Sequence, residues 1–335
     1  MFPTPFWIPE FVTSKFMQEE IVKGTSLWKD AWKRLLKNKL AVFGLIIVIL
    51  MGIICFLGPY LWEAISGNTP DYIPSDVAGG ELVKSFPPSS QHPMGTDDSG
   101  RDILSRVMQG GRISLMVGII STFVSLIVGV SYGAIAGYLG GRIDNFMMRV
   151  VDLLYSIPYI LIVIVLLAAF GGNNVPTIVK SLSDLFGGGQ GLSQIFMLFF
   201  AIGFISWLTM ARVVRGQILS LKNQEFVLAA KATGVSTPAI IFKHLVPNVL
   251  GPVIVYATLT IPQVMLSEAF LSFLGIGVQA PYASWGSLVA EGIKNISMFP
   301  WQLIFPGVTM ALTLFSLNFL GDGLRDALDP QTRKF

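Results

Sequence analysis

Six long apolar runs divide this chain, and they constrain its fold more than any other feature. Each is about 20 residues long, enough for a helix to cross a hydrocarbon core about 30 Å thick. Backbone groups in hydrocarbon must be hydrogen-bonded internally, so each run is predicted to be an α-helix. With 53% hydrophobic and 13% charged residues, the composition excludes an ordinary soluble domain. The prediction is an all-α membrane protein with six transmembrane helices, at residues 40–62, 113–139, 150–170, 195–211, 249–273 and 296–321.

Lysine and arginine are distributed unevenly among the segments that separate these runs. If residue 1 lies on the cytoplasmic side, seventeen of the 23 Lys and Arg residues fall on that side. Positive charge is enriched in the cytoplasmic segments of membrane proteins, so we expect both termini to be cytoplasmic. The predicted divisions are a cytoplasmic segment at 1–39, a first transmembrane helix at 40–62, an extracytoplasmic segment at 63–112, a five-helix core at 113–323 and a cytoplasmic tail at 324–335.

The stretch before the first run, residues 17–39, is basic and contains two tryptophans. Trp28 and Trp32 are four positions apart, which places them on one face of a helix. Two interpretations stay open. The stretch is either a helix lying at the membrane surface or a solvated leader helix.

A polar, amphipathic segment, residues 225–248, lies between the fourth and fifth runs, on the cytoplasmic side in this orientation. Asn223 is predicted to cap a first helix, and Gly234 is predicted to end it. Ser236 is predicted to cap a second short helix, which Pro247 stops before the next span begins. The pattern indicates two short helices joined by a bend, either an ordinary connector or a surface for a partner.

Small and polar side chains in this segment favour contact with another protein. Ala229 and Ala230 are expected to keep one face of the first helix flat, so that another surface can approach closely. Lys231, Lys243 and His244 offer polar contacts. The sequence contains no GxxxxGK[S/T] phosphate-binding loop, so any nucleotide energy is expected to arrive through such a contact.

The same segment resembles the EAA loop of ABC-importer permeases. In that loop, a Glu-Ala-Ala triplet is followed by a glycine four positions after the second alanine, and later by Leu-Pro. Ala229, Ala230, Gly234 and Pro247 occupy the matching positions. Leu228 stands where the loop has its acidic residue, and a valine replaces the leucine before the proline.

Other stretches resemble the C-type permease subunit of dipeptide and oligopeptide importers, the Opp/Dpp branch. The resemblance extends over residues 28–333. Its strongest parts read AAKATG and FKH within segment 225–248, HPMGTDDSGRDILSRVMQGGRISLMVG from His92, GYLGGRIDNFMMRVVDLLYSIP from Gly137, FLSFLGIGVQAPYASWGSLVAEG from Phe270, and LGDGLRDALDP near the end.

This resemblance implies a MetI-like importer permease fold with cytoplasmic coupling helices, and a role in transport rather than catalysis. It implies a heterodimer with a homologous B-type permease, two cytoplasmic ATPase subunits that hold ATP and Mg²⁺, and an extracytoplasmic solute-binding protein. It implies residence in the cytoplasmic (inner) membrane of a bacterium or archaeon, and no cofactor, metal, catalytic residue or nucleic acid of the chain's own. The implied cargo is a di- or oligopeptide, with nickel or glutathione as the alternative. The residues implied to contact an ATPase are Glu225, Ala229, Ala230, Lys231, Gly234, Lys243, His244 and Pro247.

Polar side chains inside the apolar runs are further candidates, since a charge in hydrocarbon is costly unless it faces protein or water. Asp152 lies one helical turn after Arg149, which predicts a local ion pair. Glu268 has no such partner, and it is predicted to face the partner permease or the translocation path, as are Gln263 and Asp152. An ion-coupled secondary transporter, with Asp152 and Glu268 as relays, is the alternative from a different functional class.

Four charged residues are close together in the predicted extracytoplasmic segment, at Asp97, Asp98, Arg101 and Asp102. The spacing lacks the later bidentate acid of a calcium-binding loop. A capped turn leading into an amphipathic helix is therefore predicted.

Overall fold

The computed structural model describes residues 27–67, 69–70, 85–171, 174–185 and 190–328. Within these ranges the regular structure is helical, which confirms the predicted all-α membrane class. Five helices are long and apolar enough to cross a membrane, or six if a bent pair crosses as one span. The helices are α1 Leu27–Leu35, α2 Lys39–Ser66, α3 Ile103–Leu139, α4 Gly141–Ser156, α5 Tyr159–Phe170, α6 Thr177–Asp184, α7 Gln190–Leu221, α8 Glu225–Ala232, α9 Thr237–Phe273, α10 Trp285–Lys294 and α11 Trp301–Leu328.

The third apolar run is not one straight helix, so that part of the prediction is wrong. The helices α4 and α5 meet at an angle of 90°. Pro158 has no N–H and restricts the residue before it, and Ile157 is accordingly extended. The 12 residues of α5 extend about 18 Å, less than a hydrocarbon core. The count of six transmembrane helices stays a prediction.

Several helices extend beyond the apolar runs that predict them. The fourth run covers 195–211, whereas α7 continues for ten residues to Leu221. The first turns of α3 begin at Ile103, inside the predicted segment 63–112, and α11 ends at Leu328, inside the predicted tail. An apolar run marks the part of a helix suited to hydrocarbon, and backbone hydrogen bonding continues past it wherever capping and packing permit.

The centre of the bundle is the pair α3 and α7, which approach closely along their length. Gly133 lies against the backbone of α7, where a Cβ would overlap the carbonyl oxygen of Ala211 and come 3.0 Å from the Arg215 nitrogen. Ser121 Oγ donates a hydrogen bond to the Phe199 carbonyl oxygen across the same contact, at 2.7 Å. Small residues at an interface allow two helices in a membrane to pack backbone against backbone. Glycines at 129, 133 and 137 share this face at intervals of four.

At the N-terminal side, α1 packs against the last helix. Ala31 and Leu35 of α1 form a small apolar cluster with Ala41 of α2 and Ala327 of α11. Trp32 is exposed on the other side of α1. The side chain of Trp28 and residues 17–26 lie outside the described residues, so the choice between a surface helix and a leader helix stays open.

Candidate functional site

The candidate site is a helical hairpin, residues 225–248, formed by α8 and the first turns of α9. The helix α8 ends in two reverse hydrogen bonds, from the Val235 N–H to the Ala230 carbonyl and from the Gly234 N–H to the Lys231 carbonyl. This is a Schellman termination, and Gly234 has the left-handed φ of +77° that it requires. The predicted bend at Gly234 is confirmed. We call this side of the bundle the hairpin end.

Three predicted features of the hairpin's local structure are wrong in detail. Gln224, not Asn223, precedes the first turn of α8, and it forms no side-chain cap. Ser236 stands at the start of α9 without a side-chain cap bond. Pro247 does not stop the second helix, because Thr237–Phe273 is continuous. A π-helical section, Ile240–Leu245, immediately precedes Pro247, which cannot donate to the helical ladder.

The inner side of the hairpin is anchored in the bundle. Val227 and Ala230 of α8 and Ile241 and Leu245 of α9 are buried in one apolar cluster. The cluster also contains Ala134 of α3 and Met210, Val214 and Ile218 of α7. Burying a branched apolar side chain contributes about 1.5–3 kcal/mol. The hairpin is therefore held to the spans as a packed unit.

The outer side of the hairpin is apolar and exposed. The side chain of Leu228 is 51% exposed, and those of Phe226 and Phe242 are also open to the surroundings. Ala229 is exposed beside them, whereas Ala230 faces the core, so the two alanines do not share one flat face. Glu225, Lys243 and Pro247 are exposed around this surface.

One of the predicted polar contacts is directed toward this chain. Lys231 Nζ lies over the ring of Tyr138 in α3, 5.1 Å from its centroid, which is a cation–π distance. His244 is half-buried, and its backbone carbonyl oxygen accepts a hydrogen bond from Asn248 Nδ2 at 2.6 Å. A contact of its imidazole with an ATPase stays a prediction. Lys231 therefore holds α8 to α3.

Glu268 lies near the end of α9 opposite the hairpin and is only 1% exposed, so the prediction that it avoids lipid is confirmed. Its Oε1 accepts hydrogen bonds from Ser272 Oγ at 2.6 Å and Ser284 Oγ at 2.7 Å. Ser284 caps α10 by accepting from the Ser287 N–H. The carboxylate thus joins the end of α9 to the positive end of α10. A side chain enclosed in this way does not itself reach a partner or a peptide in this conformation.

We expect Glu268→Leu to destabilise the protein far more than Glu268→Gln. Leucine leaves two buried serine hydroxyls without an acceptor, at about 1–3 kcal/mol each, whereas glutamine keeps the Oε1 acceptor. Thermal unfolding in detergent should show a midpoint several degrees lower for Glu268→Leu. Equal midpoints for the two variants would contradict the role of Glu268 in joining α9 to α10. The control is Leu266→Ala, at an exposed position on the same helix.

Gln263 and Asp152 differ from Glu268 because both are exposed. Gln263 lies on an outward face of α9. Asp152 does not pair with Arg149, so the predicted local ion pair is wrong; its partner is Arg212 of α7, with Nη2–Oδ1 at 2.7 Å. The one-turn spacing suggested the wrong partner because α4 packs across α7. Roles for these residues at a permease interface or in a path stay predictions.

The charged turn at the opposite end has the predicted form. Asp97 Oδ1 accepts hydrogen bonds from the Ser99 and Arg101 N–H groups at 2.8 and 2.9 Å. Asp102 caps α3 by accepting from the Ser105 N–H at 2.9 Å. Arg106 Nη1 contacts Asp97 and Glu291 of α10, at 2.5 and 2.9 Å. The capped turn is therefore joined to α10 by ion pairs.

The fold defines a multi-pass, all-α membrane protein with a packed helical hairpin at one end. Residues 129–334 match the family model of the binding-protein-dependent transport system inner membrane component. Residues 26–77 match the N-terminal transmembrane domain of oligopeptide transport permease C. The chain therefore belongs to the family of binding-protein-dependent transport system inner membrane components.

Its relatives are similar over nearly their whole length. The oligopeptide transport system permease protein OppC of Haemophilus influenzae is 45% identical over 95% of this chain and 93% of its own. OppC of Bacillus subtilis is 42% identical over 93% of this chain and 92% of its own. The dipeptide transport system permease protein DppC of Bacillus subtilis is 42% identical over 96% of this chain and 91% of its own.

The sequence analysis missed two structural features. The glycines at 129, 133 and 137 had a usable signal, because intervals of four place small residues on one helical face. Arg212 was counted only as a positive charge at the end of a run. Its pairing with Asp152 depends on how α4 crosses α7, which no local spacing indicates.

Proposed function

We propose that this chain is a permease subunit of an ATP-driven importer and forms half of its translocation pathway. In this proposal, a homologous B-type permease supplies the other half. Two ATPase subunits bind ATP and Mg²⁺ on the cytoplasmic side, and a solute-binding protein delivers the cargo on the other. The chain itself catalyses no reaction.

The observation that carries this proposal is the two-sided hairpin. Its inner side is buried against α3 and α7, whereas its outer side presents Phe226, Leu228 and Phe242. Exposed apolar side chains grouped on a rigid element are typical of a protein-binding surface. We infer that an ATPase subunit covers this outer side, since the chain has no phosphate-binding loop of its own.

The hairpin is well placed to transmit a displacement. The helix α9 continues without a break from the hairpin to Phe273, 37 residues and about 55 Å. Its far end is joined through Glu268 to α10. When the ATPase dimer closes on ATP, a push on the hairpin moves α9 as a rigid element and reorients the pathway.

The orientation follows from the positive charges. The hairpin and both termini lie in the cytoplasm, and the Asp97–Asp102 turn with α10 lies outside, where the solute-binding protein docks. In this proposal the chain resides in the cytoplasmic (inner) membrane of a bacterium or archaeon. Seventeen of 23 basic residues on the cytoplasmic side support this orientation.

The proposed cargo is a di- or oligopeptide. The support is the identity of 42–45% with relatives named for oligopeptide and dipeptide transport, over more than nine-tenths of each chain.

The proposal is tested by reconstitution in proteoliposomes with the partner permease, the ATPases and the solute-binding protein. Uptake of labelled trialanine should require ATP and the binding protein. Uptake by this chain alone, driven by an ion gradient, would instead establish the secondary-transporter alternative.

We expect Phe242→Ala to weaken binding of the ATPase subunits by at least about tenfold, because the loss of a buried aromatic contact costs more than 1.4 kcal/mol. Phe242 is 46% exposed in the isolated chain, so the substitution leaves the apolar core of the chain intact. Affinity for purified ATPase is measured by titration in nanodiscs. Ile49→Ala on α2, also exposed, is the matched control and should bind normally. Unchanged affinity in Phe242→Ala would exclude the outer side of the hairpin as the docking surface.

A further inference from the structure

The helix α4 has one buried stripe and two exposed stripes along its length. It follows the end of α3 at the hairpin end, where Lys231 of the hairpin lies over Tyr138, and it turns by 90° from α5. The buried stripe faces the bundle, and Val151 packs there against Trp207 and Ala211 of α7. The two exposed stripes differ in character.

The first exposed stripe is apolar. Its members recur at intervals of three and four residues, which is the period of one helical face, at Ile143, Phe146, Val150 and Leu153. The side chain of Phe146 is 71% exposed, and that of Leu153 is 64% exposed. Beyond the bend, α5 also exposes apolar side chains, at Leu161, Ile164 and Val165. An apolar surface therefore continues from α4 onto the apolar helix that follows it.

The second exposed stripe is polar. It consists of Arg142, Asn145, Arg149 and Asp152. Asp152 is paired with Arg212 of α7, with Nη2–Oδ1 at 2.7 Å. The other acid of α4, Asp144, belongs to the buried stripe and is paired with Arg215 of α7. Both acids of α4 are therefore used in contacts within this chain.

The two arginines of α4 are not used in this way. Arg142 and Arg149 are exposed, and neither forms an ion pair with a residue that the structure describes. They are seven residues apart, which places them two turns apart on one side of the helix, about 10 Å along the axis. The charge that this stripe offers to its surroundings is therefore positive.

The arginines lie beside the apolar stripe and at the edge of the predicted hydrocarbon region. Arg149 is three residues after Phe146 and four before Leu153, so it borders both side chains on the helix surface. Arg142 and Arg149 both lie in the connector 140–149, between the second and third apolar runs. A helix with an exposed apolar stripe beside a basic polar stripe is typical of helices that lie in the membrane interface.

We propose that α4 lies in the membrane interface at the hairpin end and that Arg142 and Arg149 bind the phosphate groups of anionic phospholipids. The apolar stripe contacts the acyl chains of the same lipids. The long arginine side chains reach the phosphates while their methylene groups stay against apolar surface. This inference goes beyond the proposed transport role and does not depend on it.

The occupant is a lipid because the two stripes match its two parts. A phospholipid presents a phosphate directly above its acyl chains, and α4 presents arginines directly beside an apolar stripe. Basic side chains at the membrane surface attract anionic lipids. The outer side of the hairpin differs, because exposed charges of both signs, Glu225 and Lys243, surround its apolar side chains. That arrangement suits a protein surface, whereas the free charge of α4 has one sign.

The first test locates the two exposed stripes relative to the membrane. Phe146→Cys and Asn145→Cys place a nitroxide label on the apolar and the polar stripe, in the full chain in nanodiscs. The native cysteine, Cys55, is 1% exposed and is replaced by alanine. The label at 146 should collide more often with oxygen, which concentrates in hydrocarbon, than with a water-soluble nickel chelate. The adjacent label at 145 is the matched control and should show the reverse order.

Two results of this test would overturn the proposal. If the nickel chelate reaches both labels equally well, α4 lies in water and not in the interface. If the label at 146 loses its contact with oxygen when the partner permease and the ATPases are added, a protein covers the stripe instead of lipid.

The second test measures which lipid is bound. A fluorophore on Phe146→Cys is quenched by brominated phosphatidylglycerol or brominated phosphatidylcholine with the same acyl chains, and the ratio gives the preference for the anionic lipid at this helix. Arg142→Gln and Arg149→Gln should each lower that preference about fivefold, the amount typical of one basic residue at a membrane surface. Arg149→Lys should retain most of it, because the positive charge remains. Lys294→Gln, which removes an exposed charge at the opposite end, is the control and should leave the preference unchanged.

The remaining outcomes also decide the question. An unchanged preference in Arg142→Gln and Arg149→Gln would exclude the lipid site. If excess inorganic phosphate displaced phosphatidylglycerol, the arginines would bind a free anion, and the proposal would be wrong. If both glutamine variants failed to fold while Lys294→Gln folded normally, the arginines would be structural residues, which would also overturn it.

Discussion

Replacing Gly234 with valine should leave the chain inserted in the membrane but reduce ATP-driven uptake to below about a tenth of wild type. A β-branched residue in the left-handed region costs more than the 1–2 kcal/mol typical of other residues. The helix α8 has only eight residues, so its Schellman termination contributes a large part of the stability of the helix. The ATPases should still hydrolyse ATP, because the substitution impairs the transmission of their movement to the spans and not the ATPase reaction itself. Uptake and hydrolysis are measured in the same proteoliposomes.

A graded series separates this conformational effect from crowding. A Cβ at Gly234 would meet no atom within 4 Å, so any loss comes from the backbone. Asparagine tolerates a positive φ, and Gly234→Asn should retain most uptake, with Gly234→Ala between asparagine and valine. Uptake that fell with side-chain volume alone, or normal uptake in Gly234→Val, would contradict the role of this bend.

Replacing Gly133 with leucine should abolish folding of the permease. The position lies against the backbone of α7, and its Cβ would come 3.0 Å from both the Arg215 nitrogen and the Val214 Cβ. Overpacking usually costs about 1–3 kcal/mol even where side chains yield, and here the obstacle includes backbone. Gly133→Ala should already lower the thermal midpoint. The measurement is the yield of monodisperse protein in detergent, followed by thermal unfolding.

The matched control is Gly52→Leu on α2, where a Cβ meets no atom within 4 Å. That variant should be purified in normal yield. If Gly133→Leu and Gly52→Leu were equally stable, α3 and α7 could move apart without loss of stability. That result would contradict the close contact between these two helices.

The hairpin shows which local features can be predicted from the sequence and which cannot. Gly234 was predicted as the end of a helix because only glycine readily takes a positive φ, and this property depends on a single residue. The predicted caps at Asn223 and Ser236 were wrong, since a capping residue type only permits a bond that local geometry must complete. The stop at Pro247 was wrong because the π-helical turn before it carries the helix through.

The polar residues of the spans show the limit of local patterns. Glu268 was expected away from lipid on grounds of charge alone, and it is buried. One of its serine partners, Ser284, lies sixteen residues later, beyond a turn. Helix periodicity does not indicate a contact between residues so separated. The partner of Asp152 is sixty residues away, so a partner chosen from the neighbouring turn was wrong.

The sequence by itself determined the all-helical class, most of the spans, and the position of the hairpin in the chain. These follow from hydrophobic run length and backbone conformation, which are properties of short segments. Only the tertiary structure decided which alanine of the hairpin is buried, where the third run bends, and which charges meet. These depend on packing between helices that are distant in the chain, where the absence of a Cβ at glycine lets two backbones approach closely.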